Sequence, residues 1–304
     1  MYFAINAADT SSPTLIAQEL AALHSTHGDA PLHVFALVDG AFDEQVITAR
    51  DRLRLPRQSL YANTALQALG AAAPHLFSAP AASSEQLPWL EKLFATCAGK
   101  PMLSVIASAL SAEALQQHLR PYLIVQTPDG MEWPVRWGDT RVMPELMQAV
   151  DESHSTHLLS PLYCWWSVHR DGTLLSWQGD GESAPARPAF DKLPLNDVAF
   201  GRMVNAAEAD AVLANIYDSQ PDVLQLHSPA DCHTRVAQHL VWASQHGIEA
   251  APDRQHFCML ALCLAKDFAR HPAMAALLQH TRQGLGYSSE VAALPPSFWQ
   301  ETAP

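Results

Sequence analysis

The stretch that most constrains the fold is 122–142, which reads YLIVQTPDGMEWPVRWGDTRV. Its side chains alternate between two faces on either side of Pro128–Gly130, where the glycine allows the positive φ that tight turns need. The alternation ends at Asp139, and a helical pattern follows. The pattern predicts a β-hairpin that leads directly into a helix over 140–150, so a strand pair and a helix must pack together in this part of the chain.

The residues before and after this hairpin predict an α/β lobe. Compact apolar runs at 33–40 and 101–109 are typical of strands buried on both faces. A second hairpin is predicted over 158–178, with Arg170–Gly172 as its turn. Apolar residues at helical spacing predict helices over 13–24, 42–53 and 87–97, and a further helix capped by Ser111. This order of elements favours an α/β fold with a mixed sheet and hairpins, covered by helices.

The C-terminal third has a different pattern. Residues 179–194 are rich in Gly, Pro and Ala without periodicity, which predicts a linker. From 195 onward the spacing is helical throughout, with helix starts at Ser228-Pro229 and His271-Pro272. The sequence therefore predicts an α/β lobe over 1–178, a linker over 179–194 and a smaller, all-helical lobe over 195–304.

The charge and composition of the chain limit the kinds of partner that it can bind. The chain of 304 residues has 18 Lys and Arg against 31 Asp and Glu, a net charge of −13, which works against binding nucleic acid and favours a protein partner. The N-terminal stretch lacks a basic segment followed by an apolar one, and no apolar run reaches the roughly 18 residues that span a bilayer. We expect a cytoplasmic protein without membrane association. The odd number of scattered cysteines favours buried thiols: Cys97, Cys164, Cys232, Cys258 and Cys263.

No motif for chemistry is found in the sequence. It contains neither the Gly-x-Ser-x-Gly elbow of an α/β hydrolase nor a Gly-rich loop ending in Gly-Lys-Ser/Thr. The fifteen histidines do not form the paired spacing of a zinc site. We therefore expect no catalytic residue, no cofactor and no metal. Asp39 lies at the end of a predicted strand and has two interpretations. It is either a catalytic or metal carboxylate, or a structural residue that caps the next helix or pairs with an arginine. Its position favours the structural role.

Two groups of residues remain as candidates. Asp39 and Gly40 with Arg136, Asp139 and Arg141 are predicted to be structural, because guanidinium and carboxylate groups at the ends of elements can tie the hairpin to the next helix and to the first strand. Tryptophans in the two hairpins are predicted to be core residues or partner anchors, depending on their exposure; these are Trp133, Trp137, Trp165, Trp166 and Trp177.

Several segments, in this order and spacing, are shared with a known family. They are Phe35–Ala41 (FALVDGA), Ser59-Leu60-Tyr61 with Thr64 and Ala73–Leu76, His118-Leu119-Arg120, Asp129-Gly130, Arg136-Trp137, Asp139–Val142 and, near the C-terminus, Asp267-Phe268 and His271-Pro272. On these residues the chain resembles the adaptor, or chaperone, family of bacterial type VI secretion, formerly a domain of unknown function and known as Tap or TEC proteins. Trp137-Gly138 departs from the family, which often has Tyr or Phe before this aspartate.

The resemblance implies a non-enzymatic, cytoplasmic bacterial adaptor. Such a protein binds a toxic effector and helps load it onto the VgrG spike, so its expected partners are an effector and VgrG. An alternative from another class is a hydrolase-like enzyme that uses an unpaired carboxylate, such as Asp39, in a cleft between lobes. A deep pocket with convergent polar groups would favour the enzyme, and a broad apolar surface would favour the adaptor.

Overall fold

The structure of this chain is a computed structural model that describes residues 2–28, 30–48 and 56–303. The chain divides into two compact units. Ala7–Met203 form the first unit, and the residues from Val204 onward form the second together with the N-terminal segment up to Asn6. The strands all lie in the first unit and the second is helical, so the predicted fold class, an α/β part followed by an all-helical part, is confirmed.

The first unit contains two sheets. Its strands are β1 (His33–Asp39), β2 (Arg57–Ser59), β3 (Pro74–Ser78), β4 (Leu103–Ser108), β5 (Ile124–Gln126), β6 (Glu132–Pro134), β7 (Leu162–Val168), β8 (Leu174–Gln178) and β9 (Leu193–Pro194). Six of them form a sheet of order β2-β3-β1-β4-β7-β8 in which every pair is antiparallel. The mixed sheet is the smaller one, β6-β5-β9, where β5 pairs antiparallel with β6 and parallel with β9.

Helices cover both faces of the larger sheet. They are α1 (Ser12–His27), α2 (Glu44–Thr48), α3 (Ser83–Cys97), α4 (Ala112–Leu119), α5 (Val142–Ala149) and α6 (Glu152–Leu159). Alternate residues of β1 enter two different apolar cores because strand side chains alternate between faces. Val38 packs in the core that contains residues of α1 and α3, and Leu37 packs in the core that contains residues of α4 and α5.

Both predicted hairpins are present. β5 and β6 pair through Val125 and Trp133, and the turn between them uses Gly130 at a φ of 83°. β7 and β8 pair with Trp165 opposite Trp177, and Gly172 takes a φ of 96° in their turn. The predicted strands at 33–40 and 101–109 correspond to β1 and β4.

The segment between β1 and α3 differs from the prediction. It contributes β2 and β3, whereas the sequence indicated no strand there. β3 has only a few apolar residues and begins with Pro74, which is tolerated at the first residue of a strand, so no periodic signal marks it. The helix predicted over 42–53 corresponds in part to α2, and residues 49–55 lie outside the described residues.

The segment predicted as a linker, 179–194, lies within the first unit and follows its surface; we call it the strap. Gly181 and Glu182 donate backbone hydrogen bonds to Leu162 and Ser160, and Leu193 belongs to β9. In the structure the boundary between the units falls between residues 203 and 204, within the helix Asp197–Ser219. That 1–178 and 195–304 are separable lobes stays a prediction.

The helical part comprises α7 (Asp197–Ser219), α8 (Pro229–Gln245), α9 (Ala251–Cys263), α10 (Pro272–Arg282), α11 (Tyr287–Ala292) and α12 (Pro296–Glu301). Ser228 caps α8 by accepting a hydrogen bond from the Asp231 N–H, and the His271 side chain caps α10. α9 ends at Cys263, and a separate short 3-10 helix follows at Phe268–Arg270. None of the helices in the described ranges is both long and apolar enough to cross a membrane.

Candidate functional site

The predicted charged cluster joins the end of β1 to the chain that follows the first hairpin. The Nε and Nη2 groups of Arg136 both donate to Oδ2 of Asp39, at 3.1 and 3.0 Å, and the Ala41 N–H donates to Oδ1 at 3.0 Å. The Asp39 side chain is fully buried, whereas that of Arg136 is 38% exposed. Burial raises the pKa of Asp39, and the charge of Arg136 acts in the opposite direction.

The second aspartate has its own arginine. Nε and Nη2 of Arg141 donate to the two carboxylate oxygens of Asp139, at 3.0 and 2.9 Å, which is a bidentate pair. Asp139 also accepts from the Arg141 N–H just before α5. The guanidinium carbons of Arg136 and Arg141 lie 4.4 and 5.5 Å from the centre of the Phe42 ring. Phe42 thus adds cation–π contacts that the sequence analysis did not anticipate.

Two glycines let these segments approach each other. A Cβ on Gly40 would lie 1.8 Å from the carbonyl oxygen of Ala71, and one on Gly138 would lie 2.5 Å from Cβ of Asp39. No larger residue fits at either position without moving backbone. Gly138 therefore lets the chain approach the backbone and Cβ of Asp39 closely.

This geometry bears on the enzyme alternative, which requires an unpaired carboxylate. Asp39 is not unpaired, because it is held by an arginine and a backbone N–H. Among the described residues, no group of three His, Cys, Asp or Glu side chains is placed to hold a metal ion. Burial raises the pKa of the Cys97 and Cys258 thiols to about 12, so these cysteines are not activated nucleophiles.

The candidate tryptophans separate by exposure. Trp137, Trp165 and Trp166 are at most 2% exposed and belong to the two cores, so their rings face the interior. Trp137 donates from Nε1 to the Tyr122 carbonyl, and its ring centre lies 5.7 Å from that of Trp165. Trp177 is half-buried against the same core.

Trp133 is the exposed member of the set, with 43% of its surface accessible. It lies on β6, and Met131, two residues earlier on the same hairpin arm, is 52% exposed. The ring centre of Trp133 is 5.4 Å from that of Phe200, which is itself half-buried. We call Met131, Trp133 and Phe200 the tryptophan patch. It is an apolar surface in which the exposed ring of Trp133 packs against the ring of Phe200.

A second feature, missed by the sequence analysis, lies beneath the strap. His157 contacts the Tyr122 hydroxyl through Nδ1 and the Ala186 carbonyl of the strap through Nε2. Phe190 packs edge-on against the Tyr122 ring at 5.3 Å. His118 stacks on His157 at 5.1 Å, and its pKa is lowered to about 4 by burial, so this ring is neutral at pH 7.

Beside these rings, the strap and α4 enclose a cavity of about 570 Å³. Its volume is within the range of about 300–1,000 Å³ that is typical of ligand pockets. The lining is apolar at Leu110, Pro121 and Phe190, and it includes two basic residues, Arg120 and Arg187. His118-Leu119-Arg120 was conspicuous in the sequence, but no signal there showed that the strap would fold over it.

Comparison with known protein families gives a match over part of the chain. Residues 34–157 match the model of a family described as "Domain of unknown function (DUF4123)", whose domains are known in the context of type VI secretion effector adaptors and chaperones. The match covers less than half of the chain, from β1 to α6, and includes Asp39, Arg136 and Trp133. No curated protein and no solved structure matches the chain.

Proposed function

We propose that this chain is a non-enzymatic cytoplasmic adaptor, or chaperone, that binds a type VI secretion effector and helps load it onto the VgrG spike. The observation that carries the proposal is the match of residues 34–157 to a family of domains known in that context. The net charge of −13 supports a protein partner over nucleic acid. The pairing of Asp39 with Arg136 speaks against the hydrolase alternative.

We further propose that the tryptophan patch contacts the effector. Trp is among the side chains most enriched in binding hot spots, where a large ring is anchored inside a polar rim. Trp133 meets this description, because Phe200 supports its ring while Glu132 and Lys192 form an ion pair beside it. In our proposal the charged groups Asp39, Arg136, Asp139 and Arg141, with Gly40, have a structural role; we call them the structural tie.

Co-purification tests the function. The full-length chain, tagged and co-expressed with the effector and VgrG encoded beside its gene, is expected to retain both proteins, and deletion of the adaptor gene is expected to abolish secretion of that effector alone. Failure of the wild-type chain to retain either protein would refute the proposal.

The patch is tested separately by Trp133→Ala, which should weaken effector binding by about 2 kcal/mol or more. Trp299→Ala is the matched control, because Trp299 is 38% exposed and lies in the helical unit. Both variants should keep the wild-type melting temperature to within a few degrees, since neither ring is buried. Equal effector binding by the Trp133 variant and the wild type would remove the patch from the proposal and leave the adaptor function standing.

A further inference from the structure

We propose that the cavity between α4 and the strap binds a short extended peptide segment in which an apolar side chain is flanked by carboxylates. The inference concerns a second binding surface, separate from the tryptophan patch. It rests on the proposed function only in that such a segment would belong to a partner protein.

The apolar part of the cavity is preformed. Leu110 and Phe190 supply apolar surface, and three prolines form walls whose φ angles are fixed by their rings: Pro121, Pro185 and Pro188. Phe190 is held in place by edge-on contacts with Tyr122 and His154. A cavity with rigid apolar walls costs little ordering on binding, which favours insertion of one or two apolar side chains.

The charge of the cavity is opposite to that of the chain. Two arginines, Arg120 and Arg187, line it against a single carboxylate, Asp191, whereas the whole chain carries a net charge of −13. Arg187 is exposed, and its guanidinium group has no ion-pair partner among the described residues. Arg120 donates to the Asn63 carbonyl, which orients its side chain. Guanidinium groups bind carboxylates in bidentate fashion, so acidic side chains beside the apolar anchor are the complementary ligand.

The strap itself favours a peptide over a compact small molecule. From Ser183 to Phe190, no backbone N–H donates to another backbone group in the described part of the chain. The Ala186 carbonyl accepts from His157, which fixes this wall on α6 while the N–H groups stay available. An extended segment lying along the strap can accept hydrogen bonds from these groups and place alternate side chains toward the cavity.

The test uses the full-length protein and three fluorescein-labelled peptides of the form Gly-Ser-Xaa-Leu-Xaa-Phe-Xaa-Ser-Gly, with Xaa as Glu, Gln or Lys. Fluorescence anisotropy should show binding of the Glu peptide at least about tenfold tighter than that of the Gln peptide, and no binding of the Lys peptide. Raising the salt concentration should weaken binding of the Glu peptide, because Arg120 and Arg187 are both exposed to solvent and salt screens their charges. Equal affinity for the three peptides, or no binding of the Glu peptide, would overturn the inference.

Two variants locate the site. Arg187→Glu should weaken binding of the Glu peptide at least about tenfold, and Lys92→Glu, the same charge reversal on the exposed face of α3, should leave it within about twofold. Ala114→Trp fills the cavity and should abolish binding, whereas Ala95→Trp on α3 should not. Unchanged binding in both cavity variants would refute the assignment. These experiments use neither the effector nor VgrG, so their outcome is independent of whether the proposed adaptor function is correct.

Discussion

The Asp39–Arg136 pair provides a quantitative test of the structural tie. Breaking a fully buried ion pair by removing one partner costs about 3–5 kcal/mol, because the remaining charge is buried without compensation. Asp39 is fully buried, but the Arg136 side chain is 38% exposed, so solvent screens part of the interaction. We therefore expect Arg136→Met, which keeps the length of the side chain over Phe42, to lower the free energy of unfolding by about 2–3 kcal/mol.

A double variant removes the buried charge of Asp39 as well. Asp39→Asn retains an oxygen that can accept the Ala41 N–H, so the double variant Asp39→Asn, Arg136→Met should regain about 1–2 kcal/mol relative to Arg136→Met alone. Urea unfolding followed by tryptophan fluorescence is a suitable assay, since six of the eight tryptophans lie in the first unit. Arg136→Lys is the control that keeps the charge and loses the paired donors.

The pH dependence of the free energy of unfolding provides an independent test of the pair. Burial raises the pKa of Asp39, and loss of Arg136 removes the main opposing influence, so the folded-state pKa of Asp39 rises further in Arg136→Met. A carboxyl group whose pKa is higher in the folded state costs stability as the pH rises through that pKa, and the loss is reversed as the pH falls. The deficit of Arg136→Met should therefore shrink as the pH is lowered from about 7, and that of the double variant should not. A deficit below about 0.5 kcal/mol at pH 7, or no rescue by Asp39→Asn, would refute the structural tie.

Three further predictions concern other parts of the first unit. Gly40→Ala should destabilise the protein by about 3 kcal/mol, because its Cβ would lie 1.8 Å from the Ala71 carbonyl oxygen; an unchanged urea midpoint would contradict this. Trp165→Ala should cost roughly 3–5 kcal/mol of stability, since the ring is fully buried, and a melting temperature equal to that of Trp133→Ala would show that the assigned burial is incorrect. Limited digestion with proteinase K should cut first at the exposed residues of the strap; mass spectrometry that locates the first cut inside 103–168 would argue against it.

Much of the fold follows from local signals in the sequence. The hairpin turns at Gly130 and Gly172 and the cap residues Ser111 and Ser228 have the predicted roles, because turn and cap chemistry depends on residues within a few positions. β2 and β3 were missed because they are short and lack a long apolar run, and they are stabilised by pairing with each other and with β1.

The site was less predictable than the fold. Arg136 lies 97 residues from Asp39, so the sequence shows complementary charges without showing which of them meet. Trp133 and Trp137 are four residues apart and would share a face of one continuous strand, yet one is exposed and the other buried, because β6 ends at Pro134 and the chain then turns toward β1. The composition of the strap indicates irregular backbone correctly, but composition carries no information on what that backbone contacts.

The strap connects the two surfaces that we propose for binding. Residues around Arg187 form one wall of the cavity, and Leu193, further along the strap, pairs with β5 of the hairpin that carries Trp133. Each surface also has one side from the segment that matches the family and one from outside it: α4 faces the strap in the cavity, and Trp133 rests on Phe200 in the tryptophan patch. In our proposal the matched segment alone therefore lacks part of each surface, and residues 179–203 complete both. Partner choice in this chain should accordingly depend on the residues beyond the match as much as on those within it.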